Sequence, residues 1–172
     1  VTRKRKGEFI MALKSDRSTL QTDISFFMNE AATRGGVATL SAGGSGASMD
    51  NGAALVTYDA TPSGAQPQGL LLNDMVDIDL TRQHLNQHKD EVQKGGKVTL
   101  LTKGWVVTNS IDGTAAAGGT AFLGHSGNVA TATYAAGMKG GQESKHIVGR
   151  FISAEDQNGY AKVFIDLPNT NA

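Results

Sequence analysis

The stretch Lys97-Val98-Thr99-Leu100-Leu101-Thr102-Lys103-Gly104-Trp105-Val106-Val107-Thr108-Asn109 carries the clearest structural signal in the chain. Leucines, β-branched residues and a tryptophan fill it, and these suit a pleated sheet better than a helix. Lys103-Gly104 at its centre reads as either a tight turn or a bulge. Toward the C-terminus, residues 147–153 and 160–167 form the best hairpin, joined through Glu155-Asp156-Gln157-Asn158-Gly159. Ala121-Phe122-Leu123 is a short strand, and residues 129–135 a weaker one. Toward the N-terminus, Val37-Ala38-Thr39-Leu40 and residues 54–58 read as strands. Leu70-Leu71-Leu72 is strand material too, and Val76, Ile78 and Leu80 alternate with Asp77 and Asp79. The intervening segments 41–52, 61–68, 112–119, 124–128 and 137–144 are rich in small and turn-forming residues, with an Asn51-Gly52 pair suited to a type I′ turn. Short strands, glycine-rich turns and little helix predict an all-β body, a compact β-sandwich or β-barrel. No internal repeat suggests a solenoid or propeller.

Composition narrows the function. The chain has 172 residues, a one-domain length. Glycine supplies 22 of them, well above the usual ~7%. Sixteen basic and 16 acidic residues cancel to zero net charge, so no strong overall field favours nucleic acid. With no cysteine, disulfides, thiol nucleophiles and cysteine-based metal sites are excluded. No apolar run approaches the ~20 residues that span a bilayer. The basic start at Arg3-Lys4-Arg5-Lys6 is followed by too short an apolar run, residues 9–13, for a secretory signal, so the chain reads as unsecreted.

Charge is uneven along the chain. Residues 1–14 hold five cations and one anion, a net of +4, which leaves −4 for the rest. The expected organisation is an extended N-terminal arm, 1–34, followed by a β body, 35–172. Leu20, Ile24, Phe27 and Met28 fall at helix-like steps beside Phe26, so a short helix over 22–33 competes with a fully extended arm. The Phe26-Phe27 pair has to be buried in its own core or in a neighbour's. Residues 81–94 form a polar insertion in the body, with Leu85 and Val92 its apolar anchors. It reads as a marginal helix or an excursion that packs on something else.

No residue set makes a convincing catalytic centre. His84 and His88 at i, i+4 could share a metal on a helix, with Asp90 or Glu91 nearby, but Leu85 stands where a metalloprotease needs its glutamate. Asp74, Asp77 and Asp79 suit a solvent face better than acid–base work or calcium. Gly124-His125-Ser126-Gly127 lacks the spacing of a nucleophile elbow, Gly96-Lys97 that of a phosphate loop, and Asp156-Gln157-Asn158-Gly159 that of a calcium loop. An enzyme is therefore not expected, nor any metal or cofactor. Leu71, Val98, Leu100, Trp105, Phe151, Val163 and Ile165 are expected in the body core or at an interface.

Three stretches carry a resemblance: Gly69-Leu70-Leu71-Leu72-Asn73-Asp74-Met75-Val76, then Gly95-Gly96-Lys97-Val98-Thr99-Leu100-Leu101-Thr102-Lys103-Gly104, then Val148-Gly149-Arg150-Phe151 through Gly159-Tyr160-Ala161-Lys162-Val163. In order over residues 35–168, the chain resembles the capsid decoration (cement) proteins of tailed bacteriophages. The resemblance implies a small β body of β-tulip-like form, often a homotrimer, on the outside of a capsid and made in the host cytoplasm. It implies the major capsid protein as partner, with no membrane and no specific nucleic acid. An arm that contacts the shell or a neighbour would use Lys14, Arg17, Leu20, Ile24, Phe26, Phe27 and Met28, and the polar insertion would add His84, Leu85 and His88. Competing readings are another structural virion protein (tail, neck or baseplate) and a carbohydrate- or receptor-binding sandwich that stacks ligands on Trp105, Tyr58 or Tyr134.

Overall fold

The structure, a computed structural model, describes residues 12–41, 54–62, 64–74, 78–79, 84–85, 91–132 and 146–167. Their strands are β1 (Leu13–Asp23), β2 (Phe27–Met28), β3 (Ala32–Thr33), β4 (Val37–Leu40), β5 (Leu55–Thr57), β6 (Pro67–Asp74), β7 (Ile78–Asp79) and β8 (His84–Leu85). There follow β9 (Glu91–Val92), β10 (Val98–Thr108), β11 (Ile111–Asp112), β12 (Thr120–Leu123), β13 (Val129–Ala130), β14 (Ile147–Phe151) and β15 (Ala161–Asp166). One 3-10 turn, His125–Gly127, is the sole helical element among the described residues.

The chain is all-β, built on one large mixed sheet of order β11-β13-β12-β14-β15-β10-β6-β4-β5-β2, with β1 also on β10. β10 organises it. One edge of β10 pairs with β1 from Leu100 to Thr108. The other edge is shared: Val98–Leu101 pairs with β6, and Lys103–Thr108 with β15. The sheet therefore forks near Thr102, where Leu167 N–H donates to the Thr102 carbonyl at 2.8 Å. Lys103-Gly104 is no turn. The strand runs through it, and Gly104 sits at φ +145 where β1 shifts register. Residues 147–151 and 161–166 form the expected hairpin, with Gly149 opposite Ile165 and Phe151 opposite Val163.

The triple-leucine run explains the core. Alternating residues of a strand face opposite sides of its sheet. Leu70 and Leu72 enter one apolar cluster with Val37, Leu101, Val106, Phe151, Val163 and Ile165. Leu71 enters a second with Phe26, Met28, Ala38, Val98 and Leu100. The centre of the sheet is thus covered on both faces, and its strands read as continuous apolar runs instead of alternating ones.

Of the two conformations open to the N-terminal segment the extended one is found, and its boundary with the body needs correction. No helix forms over 22–33. Phe27 N–H donates to the Ala54 carbonyl and Asn29 N–H to that of Val56, while Met28 pairs with Gly95 and Gly96 on its other side. Main-chain pairing on both sides holds this segment extended. The body also begins before residue 35, because Phe26, Met28 and Ala32 belong to its second cluster. Gly35 at φ +105 turns the chain without ending a domain. Within the polar insertion, 84–85 and 91–94 are described, with strands at His84–Leu85 and Glu91–Val92. The first pairs with β7 and the second with β3. The rest of the insertion, His88 included, lies outside the described residues, as do Asp77, Tyr134 and Asn51-Gly52.

Candidate functional site

β1 is the least buried long strand. Leu13 is buried, whereas Ser15, Asp16, Arg17, Thr19, Gln21 and Thr22 are exposed, and Leu20 is 65% exposed. Its attachment is mainly backbone pairing, with three register shifts along eleven residues. Gly104 permits the closest approach: a Cβ there would lie 2.1 Å from the Ser18 carbonyl oxygen. Side chains add two ties. Lys14 Nζ lies 3.5 Å from an Asp156 carboxylate oxygen and 4.1 Å from the centre of the Tyr160 ring. Thr102 Oγ1 donates to the Gln21 carbonyl at 3.2 Å.

The residues expected to reach a capsid or a neighbour thus divide. Lys14 is half-buried in its tie to Asp156, and Arg17 and Leu20 project to solvent. Ile24 is half-buried, and so is Phe27, with Lys97 Nζ 5.5 Å from its ring centre. Phe26 and Met28 are core residues, 6% and 0% exposed, because the chain turns inward directly after β1. The backbones of His84 and Leu85 pair with Asp79 and Ile78, in a strand and not on a helix. Of the expected core, Leu71, Val98, Leu100, Phe151, Val163 and Ile165 are all buried. Trp105 is half-buried, with Lys162 Nζ 3.5 Å from the centre of its indole.

That tryptophan lies in a row across the sheet. Ser18, Trp105, Phe164, Arg150 and Thr120 stand directly opposite one another on β1, β10, β15, β14 and β12, and opposed residues share a face. Val106, Val163 and Ile165 turn the other way into the core. Lys103 and Asp166, opposed on the next row, form an ion pair at 3.5 Å. Arg150, Lys162 and Phe164 were not singled out from sequence. The alternation of residues 161–166 contains the signal, but the register that sets Lys162 over Trp105 emerges only once β10 and β15 are aligned.

Other groups with chemical potential are committed to structure. Tyr58 Oη donates to the Thr33 carbonyl at 2.6 Å and accepts from Gly36 N–H at 3.1 Å. A Cβ on Gly36 would come within 2.8 Å of its ring, and one on Gly127 within 2.7 Å, so both glycines hold the half-buried ring closely. Glu30 Oε1 accepts from Thr57 Oγ1 at 2.5 Å and from Tyr58 N–H at 2.6 Å. Burial pushes the Tyr58 phenol far above its usual range. The Gly36 bond opposes that shift, and the Glu30 charge adds to it.

The 124–128 turn is held by Asp112, whose carboxylate accepts from His125 N–H at 3.1 Å and Asn128 Nδ2 at 2.9 Å. Asp156 accepts from the N–H groups of Tyr160 at 2.9 Å and Asn158 at 2.8 Å, which makes its loop an Asx-type hairpin connection. The Tyr160 bond is the main cause lowering the Asp156 pKa. Desolvation opposes it, and Asn158 and Lys14 lower it further. Among the described residues no group of three or more His, Asp or Glu is placed to hold a metal ion, and no helix is long and apolar enough to cross a membrane. Compared with known proteins, the chain matches no family model and no curated sequence.

Proposed function

We propose that this chain is a non-enzymatic structural virion protein that binds the outer surface of a phage capsid and bridges neighbouring capsid subunits. Its partners on this reading are the major capsid protein and further copies of itself in a homotrimer. The observation that carries the reading is β1, a long N-terminal strand laid along β10 with Arg17 and Leu20 directed outward. The three stretches of the cement-protein resemblance support it, since they fall on β6, β10 and the β14–β15 hairpin, which follow one another in the sheet.

A cement protein needs no reactive pocket. It needs a stiff body and an extended piece that lies across a joint. Full burial of a leucine side chain stabilises by about 1.5–3 kcal/mol, and Leu20 has most of that still to gain, being 65% exposed. A modest gain per copy becomes large when many linked contacts act together on one shell.

The test compares the full chain with an Arg17→Ser, Leu20→Ser double variant, which keeps Leu13 in the core and β1 paired with β10. Both are mixed with particles stripped of the protein and sedimented. The full chain is expected to pellet with particles while the double variant, with an unchanged Tm, remains largely in the supernatant. Equal binding of the two would remove the arm from the mechanism, and failure of both to bind would remove the capsid.

A further inference from the structure

We propose that the outward face of β10, β15 and β14 is a docking surface for an acidic protein partner. This proposal is separate from the arm and does not require the partner to be a capsid. The face has an apolar centre and a cationic rim. Trp105, Val107 and Phe164 are half-buried along β10 and β15. Ile152, two residues beyond Arg150 and bonded through its N–H to the Lys162 carbonyl at 2.7 Å, is 41% exposed. Around them, among the described residues, stand Lys103, Arg150 and Lys162, with Asp166 on β15 and Asp16 at the β1 edge.

Charge decides the occupant. Asp166 pairs with Lys103, and among the described residues Arg150 and Lys162 make no ion pair with a carboxylate. Arg150 is exposed. Lys162 Nζ rests 3.5 Å from the indole centre, and its ammonium is still able to donate to a carboxylate. Tryptophan and arginine at the centre of a desolvated patch are the residues most often found to dominate protein–protein contacts. A single-stranded nucleic acid fits less well. It needs bare rings for stacking, whereas Lys162 covers the indole.

Trp105 is the only tryptophan, so its fluorescence reports on this face. The full chain is titrated with a short synthetic peptide of alternating aspartate and leucine. Saturable change in Trp105 emission is expected, weakened roughly tenfold by Arg150→Ala or by high salt. Lys162→Met, which keeps the stem over the indole but removes the charge, is expected to weaken binding similarly. No emission change, equal binding of a lysine–leucine peptide, tighter binding of oligothymidylate, or a change that follows the concentration of the protein alone would each overturn the proposal.

Discussion

Replacing Gly104 with alanine separates two ways in which β1 could be held. In the native chain a Cβ at this position would lie 2.1 Å from the Ser18 carbonyl oxygen, against 3.4 Å for an ordinary contact. The oxygen would have to retreat by about 1.3 Å, the difference between those distances. A ladder hydrogen bond cannot stretch that far. Losing roughly two such bonds costs about 1–3 kcal/mol, and a non-glycine residue at φ +145 adds about 1–3 kcal/mol. Gly95 provides the control. It has φ +84 and nothing within 4 Å of the added carbon, so Gly95→Ala carries only strain of about 1–2 kcal/mol. A domain of this size loses about 2–4 °C of Tm per kcal/mol. Gly95→Ala is then expected to lower Tm by roughly 2–8 °C, and Gly104→Ala by roughly 4–24 °C. Gly104→Ala alone should also accelerate amide exchange along β1 and tryptic cleavage after Arg17. Equal Tm values for the two variants, with β1 amides still protected, would refute the close packing of β1 on Gly104.

Tyr58→Phe removes the phenol bonds to Thr33 and Gly36 and is expected to destabilise by about 1–3 kcal/mol, measured by denaturant unfolding. The same phenol has its folded pKa raised, so its stabilising contribution is complete below the ordinary value of 10.0 and is lost as pH rises above it. Tyrosinate absorbance should show one tyrosine ionising only together with unfolding, and Tyr58→Phe should abolish that late step. Asp156 has its folded pKa lowered, so its contribution is present above the ordinary value of 3.8 and is lost as pH falls below it. Acid should therefore loosen the 155–159 loop first, seen as faster exchange at the Asn158 and Tyr160 amides, and Asp156→Asn should flatten that pH dependence.

The legible parts of this molecule are those in which neighbouring residues agree with one another. The β-branched run of β10 and the paired strands 147–151 and 161–166 state their conformation locally, and the structure has them so. Phe26 and Met28 precede the run of short strands that starts at Val37, so local sequence places them in an arm. Their burial depends on β5 and on Gly95-Gly96, which approach from distant parts of the chain. The Tyr58 clamp was hidden for the same reason. Its partners Thr33, Gly36 and Gly127 are far from it in sequence, and small residues give no hint of the ring they accommodate. His84 stands opposite Asp79 in a backbone ladder, a strand where the i, i+4 reading of His84 and His88 takes a helix, and His88 lies outside the described residues. The cationic–aromatic face was half visible: Trp105 stood out, but its neighbours on β15 required the register.

A reconstruction of the phage particle carrying this chain tests the central claim most directly. The account predicts density for the β body on the outer shell, straddling a joint between capsid subunits, with the strand containing Arg17 and Leu20 against a neighbouring subunit. A shell without that density, or a copy seated wholly within one subunit's surface, would contradict it.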